Sequence, residues 1–330
     1  MTKGPSGPAL PNNTVVGVIG LGDMGSAIAT SILRTYPLVA CDLRPEAVAK
    51  MVALGARSAD SLKSLADQCD VVILVVVDDK QVNHVVGELL RYPGKIHTII
   101  VSATVLPNTV AALKEQAEAV GLDLIDAPVS GGAEKASRGI ITVMIGGDEE
   151  PVKRCWPVFQ SFGKNIFHIG PIGAGSAGKL VNNLLSLGGH ILQLEAMQLA
   201  AAYGISEDAV TEFVSVSAGD SRAIRTWGRI DRARAGHTLA GTMANHELFA
   251  KDVKTAALAA GQRSVVLPVT ACIGATMIEK VMARDKLLAE RGPAAPIPRC
   301  SACGQELASP YRKASVHPEC ATDTAGQSTW

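Results

Sequence analysis

Two clusters of residues carry chemistry by type and spacing. The first is Val15-Val-Gly-Val-Ile-Gly20-Leu21-Gly22-Asp23-Met24-Gly25. Glycines in the pattern G-x-G-x-x-G make a tight turn at Gly20, a close backbone approach at Gly22 and close helix packing at Gly25. That is what a dinucleotide pyrophosphate requires. The helix opening at about Asp23 aims free N–H groups and its positive dipole end at the phosphates. Alone the pattern is weak evidence. Here it follows a strand-like run, opens a helix and is followed, 22 residues after Gly20, by Asp42. A carboxylate at that place accepts hydrogen bonds from the adenosine ribose hydroxyls and repels a 2′-phosphate. Asp42 therefore favours NAD, while Arg44, two residues on, offers a cation for the 2′-phosphate of NADP.

The second cluster is Cys300-Ser-Ala-Cys303-Gly304 with His317-Pro-Glu-Cys320, spaced C-x₂-C-x₁₃-H-x₂-C. Two cysteines flanking two residues can grip one metal, and His317 with Cys320 completes a tetrahedral Cys₃His set suited to structural zinc. The 38-residue tail that holds them has only a few large apolar side chains, too few for a core without such a staple. A redox pair at Cys300/Cys303 and an unfolded tail are the alternatives.

These residues need elements to position them. Short β-branched runs at Val15–Ile19, Leu38–Cys41, Val71–Val76, Thr98–Ser102, Leu122–Ala127 and Ile141–Ile145 predict strands. Helical spacing at Ser26–Arg34, Pro45–Leu54 and Val82–Leu90 lies between the first four. Apolar strands alternating with helices predict parallel βαβ units with both sheet faces covered. After Gly175 the pattern turns to Ala- and Leu-rich helices: Ser176–Tyr203, Glu207–Ser215, Thr242–Ala260 and Pro268–Arg291. The fold class expected is an α/β Rossmann-like N-terminal domain plus an all-α C-terminal domain, with a short C-terminal Cys/His tail. The expected divisions are a disordered N-terminal segment at 1–13, a dinucleotide-binding domain at 14–175, a helical substrate and oligomerisation domain at 176–292, and a linker and zinc-binding tail at 293–330.

Composition agrees with this reading. The chain has 330 residues, 47% hydrophobic and 4% aromatic, so its core is built mainly from aliphatic side chains and Met. Lys and Arg (31) balance Asp and Glu (31), which gives no electrostatic case for nucleic acid or an anionic membrane. The polar amino terminus does not resemble a signal peptide, and the longest strictly apolar run, Val71–Val77, is far short of the roughly 20 residues needed to span a bilayer. A cytoplasmic location is expected. Cys41, Cys69, Cys155 and Cys272 lie in apolar contexts and are expected to be buried and reduced.

Three further motifs narrow the reading: Asp126-Ala-Pro-Val-Ser130-Gly131-Gly132-Ala133, Gly173-Ala-Gly-Ser-Ala-Gly-Lys179-Leu-Val-Asn182-Asn183, and Phe249-Ala-Lys251-Asp252-Val253. With the glycine-rich turn, in this order and spacing, they resemble the 3-hydroxyisobutyrate dehydrogenase family of β-hydroxyacid dehydrogenases, threonate dehydrogenases included, from about Val15 to Arg291. The resemblance implies hydride transfer between NAD(P) and a small hydroxycarboxylic acid such as 3-hydroxyisobutyrate, threonate or tartronate semialdehyde. It makes Lys179 the acid/base, with Asn183 positioning it and the substrate. A lysine that loses solvent near a positive nicotinamide has its pKa lowered towards the working range. Asn182 and Asn183 follow Lys179 on one helical face. Two side-chain-free residues after Ser130 let backbone N–H groups and the hydroxyl converge on an anion, here the substrate carboxylate.

By the same resemblance Lys251 lies against cofactor and substrate, and Thr104 lies near the nicotinamide. Two departures touch that pocket: Ala103 stands where a serine usually precedes the threonine, and Val75-Val-Val-Asp-Asp79 replaces a usual Leu-Pro pattern. The Ser217-Ala-Gly-Asp220-Ser221 segment resembles the family loop that approaches the substrate, with Arg222 where an aromatic is frequent. The family is oligomeric, which implies a homodimer or homotetramer. Two alternatives stand beside this reading. Imine reductases share the two-domain plan but usually replace the lysine. A non-catalytic dinucleotide-binding scaffold would leave Lys179, Asn183 and the Ser-Gly-Gly turn without a reason to coexist.

Overall fold

The computed structural model describes residues 10–11, 13–228, 231, 245–291 and 301. The chain divides into two compact units, Met1–Asn182 with Thr255–Val266, and Asn183–Lys254 with Leu267–Trp330. The tail residues Cys300, Cys303, His317 and Cys320 lie outside the described residues.

The first unit is a sheet of nine strands: β1 (Val16–Ile19), β2 (Leu38–Cys41), β3 (Arg57–Ser58), β4 (Val71–Leu74), β5 (Thr98–Val101), β6 (Asp123–Asp126), β7 (Val129–Ser130), β8 (Ile141–Gly146) and β9 (Gly163–Gly170). The spatial order is β3-β2-β1-β4-β5-β6-β8-β7, with β9 paired to β8. The first six strands run parallel. Their strands are continuously apolar because both faces are covered. In β4, Val71 and Ile73 enter one core cluster while Val72 and Leu74 enter the other.

The register places Ile19 beside both Cys41 and Leu74, Leu74 beside Val101, and Val101 beside Asp126. The loops after β1, β2, β4, β5 and β6 therefore leave one edge of the sheet. β1 sits between β2 and β4, where the strand order reverses, which is where open α/β sheets bind ligands.

The later strands depart from the expected parallel pattern, since β8 runs antiparallel to β6 and β7. A parallel return needs a crossover of a dozen or more residues, usually through a helix. The chain between β6 and β8 is spent instead on β7, the Gly131-Gly132 turn and the short helix Ala133–Ser137. β3, β7 and β9 were not expected. Two are only two residues long, and β9 is largely exposed, so none carries an apolar signature.

Helices sit close to where the spacing places them. α1 (Asp23–Ile32) opens at Asp23, as the glycine-rich turn implies, although its apolar helical spacing becomes plain only from Ser26. The expected helix Ser176–Tyr203 is α8 (Ala174–Asn183), a π turn at Leu184–Gly188 and α9 (Gly189–Ala202) in succession.

The second unit is helical. Its core gathers Leu187, Ile191, Leu194, Met197, Val210, Ile224, Trp227, Val253, Met277 and Val281. It also buries a charge cluster: Arg284 reaches Glu207 at 2.5 Å and Asp231 at 3.0 Å, and its guanidinium lies 5.0 Å from the Trp227 ring centre. Cys272 is exposed, against expectation. On the helix Pro268–Arg291 the buried positions are Thr270, Met277, Val281 and Arg284, and Cys272 falls off that stripe. Cys69 and Cys155 are buried, and Cys41 is half-buried. No helix among the described residues is long and apolar enough to cross a membrane.

Candidate active site

The nucleotide turn begins where β1 ends. Gly20 has φ +90°, a left-handed conformation that a Cβ would strain, and its N–H donates to the Cys41 carbonyl at 3.0 Å. A Cβ on Gly25 would overlap the Gly20 carbonyl oxygen, so the first turn of α1 lies directly on the loop. A Cβ on Gly22 would meet nothing, and no side chain caps α1 at Gly22. Open space therefore lies beside a helix start whose N–H groups lack intrahelical partners. A pyrophosphate fits that arrangement.

Leu21 donates its N–H to Asp42 Oδ2 at 2.6 Å, which binds the turn to the end of β2. Arg44 is not a free surface cation. Its backbone N–H and Nε donate to Asp42 Oδ1 at 2.8 and 3.0 Å. Burial alone would raise the Asp42 pKa. The hydrogen bonds from Arg44 and from the Leu21 amide outweigh it and hold the carboxyl below the usual range. Of the remaining turn residues, Asp23 is exposed and Met24 packs against the core.

Thr104 is half-buried just beyond β5, and Ala103 is buried before it. The loop they belong to is held by Asp79, which sequence reasoning assigned no role. Asp79 Oδ1 accepts from the Leu106 N–H at 3.0 Å and the Thr109 hydroxyl at 2.6 Å. A hydrogen-bonded latch thus joins the loops after β4 and β5, in the segment that departs from the Leu-Pro pattern the resemblance implied. The only sequence signal for it was the departure itself.

The Ser130-Gly131-Gly132 turn follows β7. Gly132 takes φ +82°, which lets the chain reverse into the helix Ala133–Ser137. Asn182 Nδ2 donates to Ser130 Oγ at 3.3 Å, so α8 reaches the turn directly. Lys179 lies one turn before Asn182 on α8 and is partly buried. Asp126 was quoted within a motif but given no role. It is fully buried, and its carboxylate accepts the N–H groups of Gly173 at 2.8 Å and Ser176 at 2.5 Å. Burial pushes its pKa up, and those N–H donors pull it part of the way back.

In the second unit, Asn183 Nδ2 donates to Asp252 Oδ2 at 2.8 Å, and Asp252 Oδ1 lies 3.0 Å from Lys251 Nζ. Asn183 and Lys251 are thus joined through one buried carboxylate. The Ser217–Ser221 segment is organised by Ser221, whose hydroxyl accepts from the Ile224 N–H and from Gln193 Nε2. Asp220 pairs with Arg225, and Arg222 is exposed. Among the described residues no group of three or more His, Cys, Asp or Glu could hold a metal ion.

Comparison with known proteins matches residues 15–170 to the NAD binding domain of 6-phosphogluconate dehydrogenase. Residues 173–295 match the NAD-binding segment of NADP-dependent 3-hydroxyisobutyrate dehydrogenase. The NAD-dependent L-serine dehydrogenase of Pseudomonas aeruginosa is 34% identical over 74% of this chain and 85% of its own. The L-threonate dehydrogenase of Cupriavidus necator is 34% identical over 78% of this chain and 86% of its own. Among solved structures, a 3-hydroxyisobutyrate dehydrogenase from Salmonella typhimurium superposes with a TM-score of 0.66 at 30% identity, covering 86% of this chain and 96% of that one.

Proposed function

Because this chain belongs to the 3-hydroxyisobutyrate dehydrogenase-like β-hydroxyacid dehydrogenases, and is an NAD(P)-dependent hydroxyacid dehydrogenase rather than an imine reductase, we propose that Lys179 is its acid/base. The substrate we propose is a small hydroxycarboxylic acid of the 3-hydroxyisobutyrate, threonate or tartronate semialdehyde type. The observation that carries the assignment is the Asn182–Ser130 hydrogen bond. It supports placing the helix that bears Lys179 against the Ser-Gly-Gly turn.

In this reading Ser130, Gly131 and Gly132 hold the substrate carboxylate, and the neutral Lys179 amine takes the substrate hydroxyl proton at Nζ, becoming the ammonium. The same group returns the proton when the reaction runs towards the alcohol. Asn183 and Lys251, linked through Asp252, orient substrate and cofactor. The residues from Gly20 to Gly25 hold the pyrophosphate, Asp42 the ribose hydroxyls, and Thr104 lies at the nicotinamide. The nicotinamide nucleotide, when bound, supplies the hydride acceptor. NAD is preferred over NADP because the Asp42 carboxylate faces the 2′ position. Arg44, already paired with Asp42, moderates that preference. Residues 14–175 bind the nucleotide, and 176–292 complete the substrate site and the oligomer.

Two further assignments belong to this reading. Leu185, Leu192 and Leu199 recur at intervals of seven, are 76%, 67% and 64% exposed, and are followed by Tyr203 at 78%. Such a contiguous apolar stripe marks an interaction surface, and we assign it to a homodimer or homotetramer. Cys300, Cys303, His317 and Cys320 bind one structural zinc remote from hydride transfer. The free cysteines of the folded units suit a cytoplasmic location.

Nucleotide reduction against a panel of hydroxyacids and imines tests the function. Activity confined to imines, or turnover unaffected by Lys179→Ala, would overturn it. Native mass spectrometry tests the assembly and the metal together: a monomeric, metal-free mass refutes both.

A further inference from the structure

Among the buried titratable groups that the nucleotide and substrate assignments leave unused, Asp126 lies at the sheet edge. Asp126 ends β6, is 0% exposed and is bonded to N–H groups 47 and 50 residues further along the chain. Those N–H groups, of Gly173 and Ser176, belong to the start of α8. The first N–H groups of a helix have no intrahelical partner, and a carboxylate there is favoured by the helix dipole. A local serine or threonine cap would satisfy the helix without burying a charge. What the distant carboxylate adds is a fixed position for the helix relative to the strand.

That position bears on two functional groups at once. Ser130 lies four residues beyond Asp126 on the strand side, and Lys179 lies three residues, one helical turn, beyond Ser176 on the helix side. Contact at the junction leaves no slack: a Cβ on Gly175 would come within 2.5 Å of the Met144 carbonyl oxygen and 2.7 Å of the Asp126 carbonyl oxygen. A second tie, from the helix to the turn, runs from Asn182 to Ser130 and is longer at 3.3 Å.

We propose that Asp126 is a positioning residue for the reaction: its buried carboxylate fixes the start of the lysine-bearing helix against the anion-binding turn, and so sets where Lys179 meets the substrate. The proposal rests on Lys179 being the acid/base. A displacement of about 1 Å at a reacting group costs about a hundredfold in rate.

Asp126→Asn keeps the size of the side chain and turns one acceptor into a donor facing an N–H. It lowers kcat about ten- to hundredfold, while the dissociation constant for NADH, from fluorescence titration, stays within about twofold. Placed in Lys179→Ala, the same change lowers the residual kcat by less than about twofold, because the group it positions is gone. Gly175→Ala, which lifts the helix without touching the carboxylate, gives the same kcat-selective loss. A kcat for Asp126→Asn within twofold of wild type overturns the proposal. So does a full multiplicative loss in the Lys179→Ala background, which marks general structural damage. Loss of soluble protein from both variants assigns the junction a structural role and overturns it too. Near-normal turnover by Lys179→Ala removes the acid/base reading and this inference with it. That outcome is distinguishable from a neutral Asp126→Asn in an enzyme that does need Lys179.

Discussion

The two units place polar groups by different means. In the first, the strands supply a core of fully buried Val, Leu and Ile side chains, and the functional loops are held by hydrogen bonds that run largely to the backbone. Asp42 takes the Leu21 amide, Asp79 the Leu106 amide, and Asp126 the Gly173 and Ser176 amides. In the second, side chain meets side chain. Asn183 meets Asp252, Asp252 meets Lys251, and Arg284 joins Glu207 and Asp231. A backbone donor is positioned by its own secondary structure, so it can hold a carboxylate without a second side chain being ordered. A buried ion pair relies on every partner being present, because removing one leaves an uncompensated charge. The first unit is therefore a template, and the second a set of mutually dependent contacts.

Mutations can break or sharpen this contrast. The largest effect is expected from Lys179→Ala, which should lower turnover about 10²–10⁴-fold and leave nucleotide binding intact. Equal loss of NADH affinity would show that nucleotide binding depends on the lysine-bearing helix. Next is Arg284→Ala, which removes the buried cation that Glu207 and Asp231 share and should cost about 3–5 kcal/mol. In denaturant titrations with a sole tryptophan, Trp227 reports the second unit and Trp156 the first. The Trp227 transition should move to lower denaturant by that amount, and the Trp156 transition much less. Coincident shifts would mean that the units unfold as one body. The smallest effect is expected from Asp42→Ala. It should lower the preference for NAD over NADP, as a ratio of kcat/KM values, by about tenfold, or about 1.4 kcal/mol. In the proposed reading the change removes a negative charge from the 2′ position and frees Arg44 for a phosphate. A wild-type enzyme that already prefers NADP would show that Arg44 outweighs Asp42.

Legibility in the sequence follows the same division. The six main strands lie within a residue or two of their expected ends, because a strand covered on both faces must be apolar throughout and flanked by turn residues. The tight turn at Gly20 and the close packing at Gly25 were legible for a related reason: only glycine fits either place. The second unit gave only the helices. Arg284, Glu207 and Asp231 look like ordinary surface charges in sequence, and Cys272 like a core thiol. Nothing local tells a buried face of the helix Pro268–Arg291 from an exposed one when Val and Met populate both.

Composition and spacing by themselves determined the two classes of element and the place of the glycine-rich turn, since each depends on residues adjacent in the chain or one helical turn apart. Tertiary structure alone decided the rest. The antiparallel direction of β8 depends on what the intervening 14 residues (127–140) build. The pairing of Arg44 with Asp42 depends on the loop after β2 folding back on its own carboxylate. The use of Asp126 and Asp79 depends on contacts 27 to 50 residues apart. A carboxylate's partners are chosen by which backbone N–H groups the fold leaves without a helical or sheet partner, and that is a property of the assembled chain rather than of any segment of it.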